Sequence, residues 1–185
     1  MAVLVMERGQ RVELLRCGDS KAWEVVVNQY QISLSKYLYN MVKDKELARD
    51  LTQDTFLKAY QAMPKTEGDL NLKSWLYRIA TNNAIDVLRR RKLISWLPWV
   101  EGATISRETR NSHEDGLAQR ELVRGALNKL PGKYNAVLLL HDNQGFNCQE
   151  VGEMLDISLG AVKKRLARAR VMFRDAYERL EKGGE

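Results

Sequence analysis

The sequence predicts an all-α protein of two small helical domains joined by a flexible linker, and three observations carry that prediction. Apolar residues recur at three- and four-residue steps through most of the 185 positions. The chain holds only 3 prolines, and its glycines fall mainly between periodic segments, so little interrupts helix. From about residue 95 to 116 the periodicity stops, and Pro98, Gly102 and Gly116 stand among Ser, Thr and Asn. The expected domains are therefore residues 1–95 and 117–185, with 96–116 as the linker.

In the first domain, Trp23, Val26, Tyr30, Leu34, Tyr37, Leu38 and Met41 mark a helix from Ala22 to Val42. Leu47, Leu51, Thr55, Ala59 and Met63 mark a second, ended by Pro64. Lys65 to Asp69 reads as a loop. A third helix begins near Leu72, carries Trp75, Leu76, Ile79, Ala80, Ala84, Val87 and Leu88, and finishes in Arg89-Arg90-Arg91-Lys92. Cations suit a helix C-terminus, where the backbone dipole leaves partial negative charge. In the linker, Trp96 and Trp99 are unusual for solvated chain and suit docking on the first domain or on a partner.

Helical order resumes with Leu122, Ala126 and Leu130 and stops at Pro131-Gly132. Tyr134 to His141 forms a short helix, and Asn143-Gln144-Gly145 a turn. Asn147 followed three residues later by Glu150 is a capping-box pattern, with Phe146 placed for a hydrophobic staple. After Asp156-Ile157, Ser158 caps a last helix to about Lys182. No strands are expected.

Two short helices joined by a tight turn, the second strongly basic, form a helix-turn-helix. Val162, Leu166, Ala169, Phe173 and Leu180 make the apolar spine of the second helix. At 100° per residue Lys164 and Arg168 project opposite that spine, with Lys163 and Arg170 on one flank and Arg165 on the other. No acid occurs from Ser158 to Met172, whereas Asp175, Glu178 and Glu181 follow. Positive charge is thus concentrated on the half that enters a major groove, where Gly160, Ala161 and Ala167 leave room for base edges. A merely solvated charged face accounts for most basic helices, but here the charge has one sign and follows a capped turn.

The third helix carries a second constellation. Trp75, Tyr77, Arg78, Asn82 and Asn83 place aromatics, a cation and amides on one element, just ahead of Arg89, Arg90 and Arg91. Aromatic faces with cations bind unstacked single-stranded bases. Taken singly, Trp75 fits a core position as well, and the arginines fit helix termination. The amides at 82 and 83 have no propensity reason to stand in mid-helix.

Composition removes other classes. The net charge of +6 is compatible with nucleic acid without requiring it. No apolar run approaches the roughly 20 residues that span a bilayer, and Ala2 to Val5 is too short for a signal core, so the cytoplasm is the expected location. Cys17 and Cys148 lie far apart and only His113 and His141 supply imidazole, so neither a disulfide framework nor a metal site is expected. Asp50 and Asp54 lie one helical turn apart, yet nothing else converges on them to hold a catalytic metal. Neither catalytic residue, cofactor nor small-molecule substrate is expected.

Asp50-Leu51-Thr52-Gln53-Asp54-Thr55-Phe56, the run from Ser74 to Asp86 and the arginine cluster resemble region two of the extracytoplasmic-function sigma factors. Leu127 to Pro131, Val137 to Leu140 and Ile157 to Arg165 resemble region four of the same family, in matching order and spacing. The resemblance implies a non-catalytic initiation subunit whose partners are core RNA polymerase and promoter DNA. Asp50, Gln53, Asp54 and Phe56 would bind the coiled coil of the largest polymerase subunit. The third helix and the loop before it would take the melted minus-ten strand, with Asn82 on a base, Trp75 and Asn83 beside it, and Arg78, Arg89, Arg90 and Arg91 nearer the backbone. Ser158, Gly160, Lys163, Lys164, Arg165 and Arg168 would read the duplex minus-thirty-five element. The family also implies an anti-sigma protein, often membrane-anchored.

The chain departs from the family pattern in places. Ala161, Lys164 and Ala167 stand where Thr, Ser and His are common, so the promoter sequence does not carry over; Arg49 replaces a frequent acid beside Asp50. Two other classes compete: a stand-alone helix-turn-helix regulator that binds duplex DNA as a symmetric dimer, and a nucleic-acid enzyme. The first leaves the Asp50 to Phe56 block and the arginine cluster as coincidences.

Overall fold

The computed structural model describes residues 8–94 and 115–183, and every regular element among them is helical. The expected boundary at 95/96 and nearly all of the expected linker, with Trp96 and Trp99, lie outside the described residues. The chain divides into two compact units, Met1–Ala84 and Ile85–Glu185.

The first unit is built from α1 (Arg8–Arg16), α2 (Ser20–Val42), α3 (Lys45–Ala62) and the part of α4 (Leu72–Ile94) up to Ala84, with a 3₁₀ turn at Met63–Lys65. The cap of α2 is Asp19, whose carboxylate accepts from the Ala22 amide at 2.8 Å; Asp44 caps α3 in the same way through Leu47 at 3.0 Å. Between α2 and α3 only Lys43 and Asp44 intervene. Lys43 takes the left-handed conformation (φ 61°) that closes a helix, and its amide donates to the Tyr39 carbonyl. The short connection folds α3 back along α2. Leu34, Tyr37 and Leu38 of α2, Leu51 and Ala59 of α3, and Leu76, Tyr77 and Ala80 of α4 are buried. Each large apolar side chain so buried contributes roughly 1.5–3 kcal/mol.

The buried hydroxyls of Tyr37, Thr52, Thr55 and Thr81 in this core are satisfied. The Tyr37 hydroxyl shares a 2.7 Å hydrogen bond with Thr81 Oγ1, and the two tyrosine rings Tyr37 and Tyr77 meet edge-on at 5.2 Å. Thr52, Thr55 and Thr81 donate to carbonyls one turn back, on Ala48, Leu51 and Tyr77. Helix α1 was not expected from the apolar pattern. Its Val12 and Leu15 are buried, and Trp23 Nε1 donates to the Leu15 carbonyl at 3.1 Å.

The second unit contains α5 (Asp115–Lys129), α6 (Gly132–Leu138), a π-helical turn at Leu139–Asn143, α7 (Cys148–Leu155) and α8 (Leu159–Glu181). Helix α8 packs against α5, α6 and α7. Gly125 lets α5 approach closely, since a Cβ there would stand 2.9 Å from Leu180 Cδ1. Helix α5 begins at Asp115, two residues before the expected boundary. The predicted helix from Tyr134 to His141 is instead α-helix followed by the wider π turn, which keeps both Leu139 and Leu140 buried.

Candidate nucleic-acid interface

In α4 the 3.6-residue repeat sorts the predicted residues onto two faces. Trp75, Arg78, Asn82, Asp86 and Arg89 fall on one stripe, about 21 Å long at 1.5 Å per residue. Arg78, Asn82 and Arg89 are exposed and Trp75 is half-buried, so its ring is partly presented. Asp86 stands within the stripe and pairs loosely with Arg89 at 3.6 Å. Arg90 and Arg91 are exposed too, with Arg90 flanking this stripe and Arg91 turned away from it.

Asn83 is not on that stripe. It is 7% exposed, its side-chain oxygen accepts from Lys58 Nζ at 2.7 Å, and its amide reaches Thr55 Oγ1 at 3.4 Å. A base could take this amide only by displacing those partners. The two adjacent asparagines therefore face different surroundings.

On α3 a second stripe is formed by Asp50, Gln53, Asp54 and Leu57. Asp50 and Gln53 are exposed, Asp54 is partly so, and Leu57 is 56% exposed, an apolar side chain facing out one turn beyond Asp54. Phe56, grouped with these residues from sequence, is half-buried and lies off the stripe. Lys58 pairs with Asp54 at 2.9 Å. Sequence reasoning missed Leu57, although its seven-residue spacing from Asp50 puts it on the same face.

The helix-turn-helix is formed by α7, Asp156-Ile157-Ser158 and α8. Its first helix has the full capping box: Asn147 accepts from the Gln149 and Glu150 amides, and Glu150 accepts from the Asn147 amide at 2.8 Å. Phe146 and Val151, the staple positions, are both buried. Asp156 closes α7 in the left-handed conformation (φ 52°). The Ser158 hydroxyl accepts from the Ala161 amide at 3.2 Å, so this predicted contact residue has a capping task already.

Gly160, Lys163, Lys164 and Arg168 are exposed and Arg165 is half-buried, over a spine in which Val162, Leu166 and Ala169 are buried. Arg168 hydrogen-bonds Tyr134 on α6, and that bond, with Lys133 and Arg165 nearby, holds the Tyr134 phenol below its ordinary range. Lys133 Nζ lies 5.1 Å from the Tyr134 ring. Lys133 and Tyr134 thus extend the basic surface onto α6; no local spacing in the sequence signals this, because the partners are more than 30 residues apart. Arg170 behaves differently. It grips Asp142 through two bonds of 3.0 and 2.6 Å, and His141 Nδ1 meets the same carboxylate at 2.6 Å. Arg170 first, with partial burial opposing and His141 adding, holds the Asp142 carboxyl below the usual range. Arg170 is a strut between α8 and the π turn.

Among the described residues no group of three or more His, Cys, Asp or Glu could hold a metal ion, and no helix is long and apolar enough to cross a membrane. Cys17 and Cys148 are free thiols.

Comparison with known proteins fits this geometry. Residues 26–94 match Sigma-70 region 2, and residues 120–172 match Sigma-70 region 4. The chain is 30% identical to the ECF RNA polymerase sigma factor SigW of Bacillus subtilis, over 89% of this chain and 94% of that one. It is 29% identical to the ECF RNA polymerase sigma-E factor of Salmonella typhimurium, covering 86% of this chain and 88% of the relative. Among solved structures, the sigma factor RpoE with the anti-sigma factor NepR from Bartonella quintana shares the fold. Its TM-score is 0.71 at 22% identity, over 85% of this chain and 98% of the other. CnrH, solved with the cytosolic domain of CnrY, has a TM-score of 0.69 at 22% identity, over 92% and 97%.

Proposed function

This chain belongs to the extracytoplasmic-function group of the sigma-70 family, and from that premise we propose that it directs core RNA polymerase to promoters by binding the minus-ten and minus-thirty-five elements. The observation that carries the reading is the outward stripe of Trp75, Arg78, Asn82 and Arg89 on α4. A regulator of duplex DNA alone has no use for a ring, an amide and cations aligned for an unstacked strand.

The division of labour follows the faces. Residues 1–95 form the region-two domain, 96–116 the linker, and 117–185 the region-four domain. Asp50, Gln53 and Asp54, joined by Leu57, dock on the polymerase coiled coil. Asn82 contacts a flipped base of the minus-ten strand, with Trp75 beside it and Arg78, Arg89 and Arg90 on phosphates. Phosphate contacts position the strand and base contacts specify it. Lys163, Lys164, Arg165 and Arg168 lie in the major groove of the minus-thirty-five duplex, with Gly160 admitting close approach. Asn83 and Ser158 act one step back, orienting α4 and α8.

The protein works in the cytoplasm as a non-catalytic subunit, with no cofactor and no small-molecule substrate. Two structural neighbours were solved as complexes, RpoE with the anti-sigma factor NepR and CnrH with the cytosolic domain of CnrY. They support a corresponding anti-sigma protein for this chain, membrane-anchored in the manner common to the family.

The test is transcription of fragmented genomic DNA by core RNA polymerase with and without the protein, mapping RNA starts. New starts preceded by a shared two-block motif are expected. No new starts, together with tight duplex binding by the protein alone, would replace this reading with a stand-alone regulator.

A further inference from the structure

The side chain of Arg16 holds the loop between α3 and α4 from outside. Arg16, the last residue of α1, donates from Nε to Thr66 Oγ1 at 3.2 Å and from Nη2 to the Gly68 carbonyl at 2.7 Å. Its Nη1 is steadied by Glu13 of the same helix. Thr66 in turn donates to the Met63 carbonyl at 2.7 Å, so the fork of Arg16 grips a residue already fixed to the end of α3. At the far end Asn71 accepts from the Ser74 amide at 3.2 Å and caps α4. The loop is thereby tied at both ends, while Glu67, Gly68 and Asp69 stay exposed. Gly68 adopts φ 68°, a conformation that turns the chain sharply at the carbonyl Arg16 holds.

The guanidinium suits this task physically. Its side chain is 16% exposed, and a planar fork with several fixed donors sets two acceptors at once, which a lysine ammonium does not. Helix α1 has its own reason to stay in place, since Val12 and Leu15 are buried against the bundle. The grip therefore passes from a docked helix to a surface loop that leads directly into the Trp75 to Arg89 stripe. Helix α1 lies before residue 26, where the family match begins.

We propose that Arg16 is a positioning residue for minus-ten recognition: by fixing Thr66 and the Gly68 carbonyl, it holds the α3–α4 loop in the shape that receives an unpaired base beside α4. The inference rests on the sigma-factor reading above. It assigns α1 a part in promoter selectivity through the loop, with no contact of its own to DNA.

The experiment uses full-length protein in holoenzyme with core polymerase. The probe is a pool of fork-junction DNA with a fixed duplex and a randomised unpaired non-template segment, sequenced before and after capture. The wild type should enrich particular bases at particular positions. Arg16→Ala should lower the enrichment at one or two positions about tenfold, the loss expected when charge-assisted hydrogen bonds that fix a site are removed. Enrichment elsewhere, core-polymerase binding and the melting temperature of the free protein should change little. Arg16→Lys should recover only part of the selectivity, and Thr66→Val should fail at the same positions as Arg16→Ala. An unchanged profile in Arg16→Ala would overturn the proposal. So would a uniform loss at every position with a lowered melting temperature, which marks Arg16 as purely structural. If the wild-type holoenzyme enriches nothing, the sigma-factor reading fails first and this inference falls with it.

Discussion

Lys58 on α3 donates to the side-chain oxygen of Asn83 on α4 at 2.7 Å, while the same ammonium lies 2.9 Å from the Asp54 carboxylate. One flexible cation thus ties the proposed polymerase-facing helix to the proposed strand-binding helix. It also explains why adjacent asparagines differ: Asn83 is spent on the α3–α4 contact and Asn82 is left outside.

The first prediction separates those two residues by stability. Asn83→Ala leaves Lys58 without its neutral partner and removes a buried hydrogen bond, and it should destabilise the protein by about 1–2 kcal/mol. Asn82→Ala, at an exposed helical position, should stay within about 0.5 kcal/mol of wild type. Urea unfolding at neutral pH measures both. The reverse order would mean that the two faces of α4 are assigned the wrong way round.

A second prediction concerns what each DNA surface does. Lys164→Ala should weaken binding to minus-thirty-five duplex by about tenfold, the ~1–3 kcal/mol of a base contact, and leave promoter melting intact once the complex forms. Asn82→Ala should impair melting and spare the duplex. Arg170→Ala should do neither to the same extent, because its guanidinium is held by Asp142; its cost should appear as lowered stability of the second unit. Band-shift on duplex and permanganate reactivity of the melted strand distinguish the three. Equal losses for Lys164→Ala and Asn82→Ala in both assays would reject the separation.

Much of this was legible in the residues, for definite reasons. The capping box of Asn147 and Glu150 formed as the sequence pattern indicates, because it depends only on residues three apart. The distinction between Asn82 and Asn83 was also available: Asn83 keeps helical register with Leu76 and Ala80, and Asn82 with Trp75 and Arg78. Helix α1 was not legible. A nine-residue helix is marginal by itself, and docking of Val12 and Leu15 on distant partners holds it in place. The same holds for Arg16 with Gly68, Arg170 with Asp142 and Arg168 with Tyr134. Each is a pairing between elements, and sequence spacing carries no information about which side chains meet across a tertiary contact.

Lys43 supports a prediction about pH. Its Nζ is shut from solvent without a hydrogen-bond partner, and burial pushes its pKa down to about 8. In the unfolded chain the value returns to the ordinary lysine range of about 10.4. Between those limits the unfolded state binds more protons than the folded one, so stability should rise as pH increases from about 8 towards 10. Above about 10 the trend should reverse, because burial raises the Tyr37 phenol well above its ordinary value and the unfolded tyrosine ionises first. Lys43→Met keeps the stem and removes the charge. At pH 7 it should stabilise by about 1–2 kcal/mol, with partial exposure of the side chain discounted, and it should flatten the rise above pH 8. Chemical denaturation of both proteins at pH 7, 9 and 10.5 measures the difference. A variant less stable than wild type at pH 7 would show that the ammonium finds solvation in solution.

Gly152 tests whether the helix-turn-helix angle is set by close approach of α7 and the turn. Its Cα faces backbone: an added methyl would stand 2.9 Å from the Ile157 carbonyl oxygen and 3.6 Å from Val162 Cγ2. The first contact is with main chain that is itself fixed, since the Ile157 amide donates to the Gly152 carbonyl at 3.0 Å. Neither side can yield without opening the turn. Helix propensity alone favours alanine over glycine by about 1 kcal/mol, so the sign of the outcome is informative. Gly152→Ala should nonetheless destabilise, by about 1–3 kcal/mol, because overpacking against backbone outweighs the propensity gain. It should also weaken minus-thirty-five duplex binding more than Asn82→Ala does, since opening the turn moves α8 and with it Lys164 and Arg168. Asp156→Gly is the complementary change, relieving a left-handed residue at φ 52° without touching the α7–α8 approach, and it should be neutral or slightly stabilising. If Gly152→Ala instead stabilises the protein and leaves duplex binding unaltered, the turn has room to spare and the angle of α8 is set elsewhere, by its packing on α5 and α6.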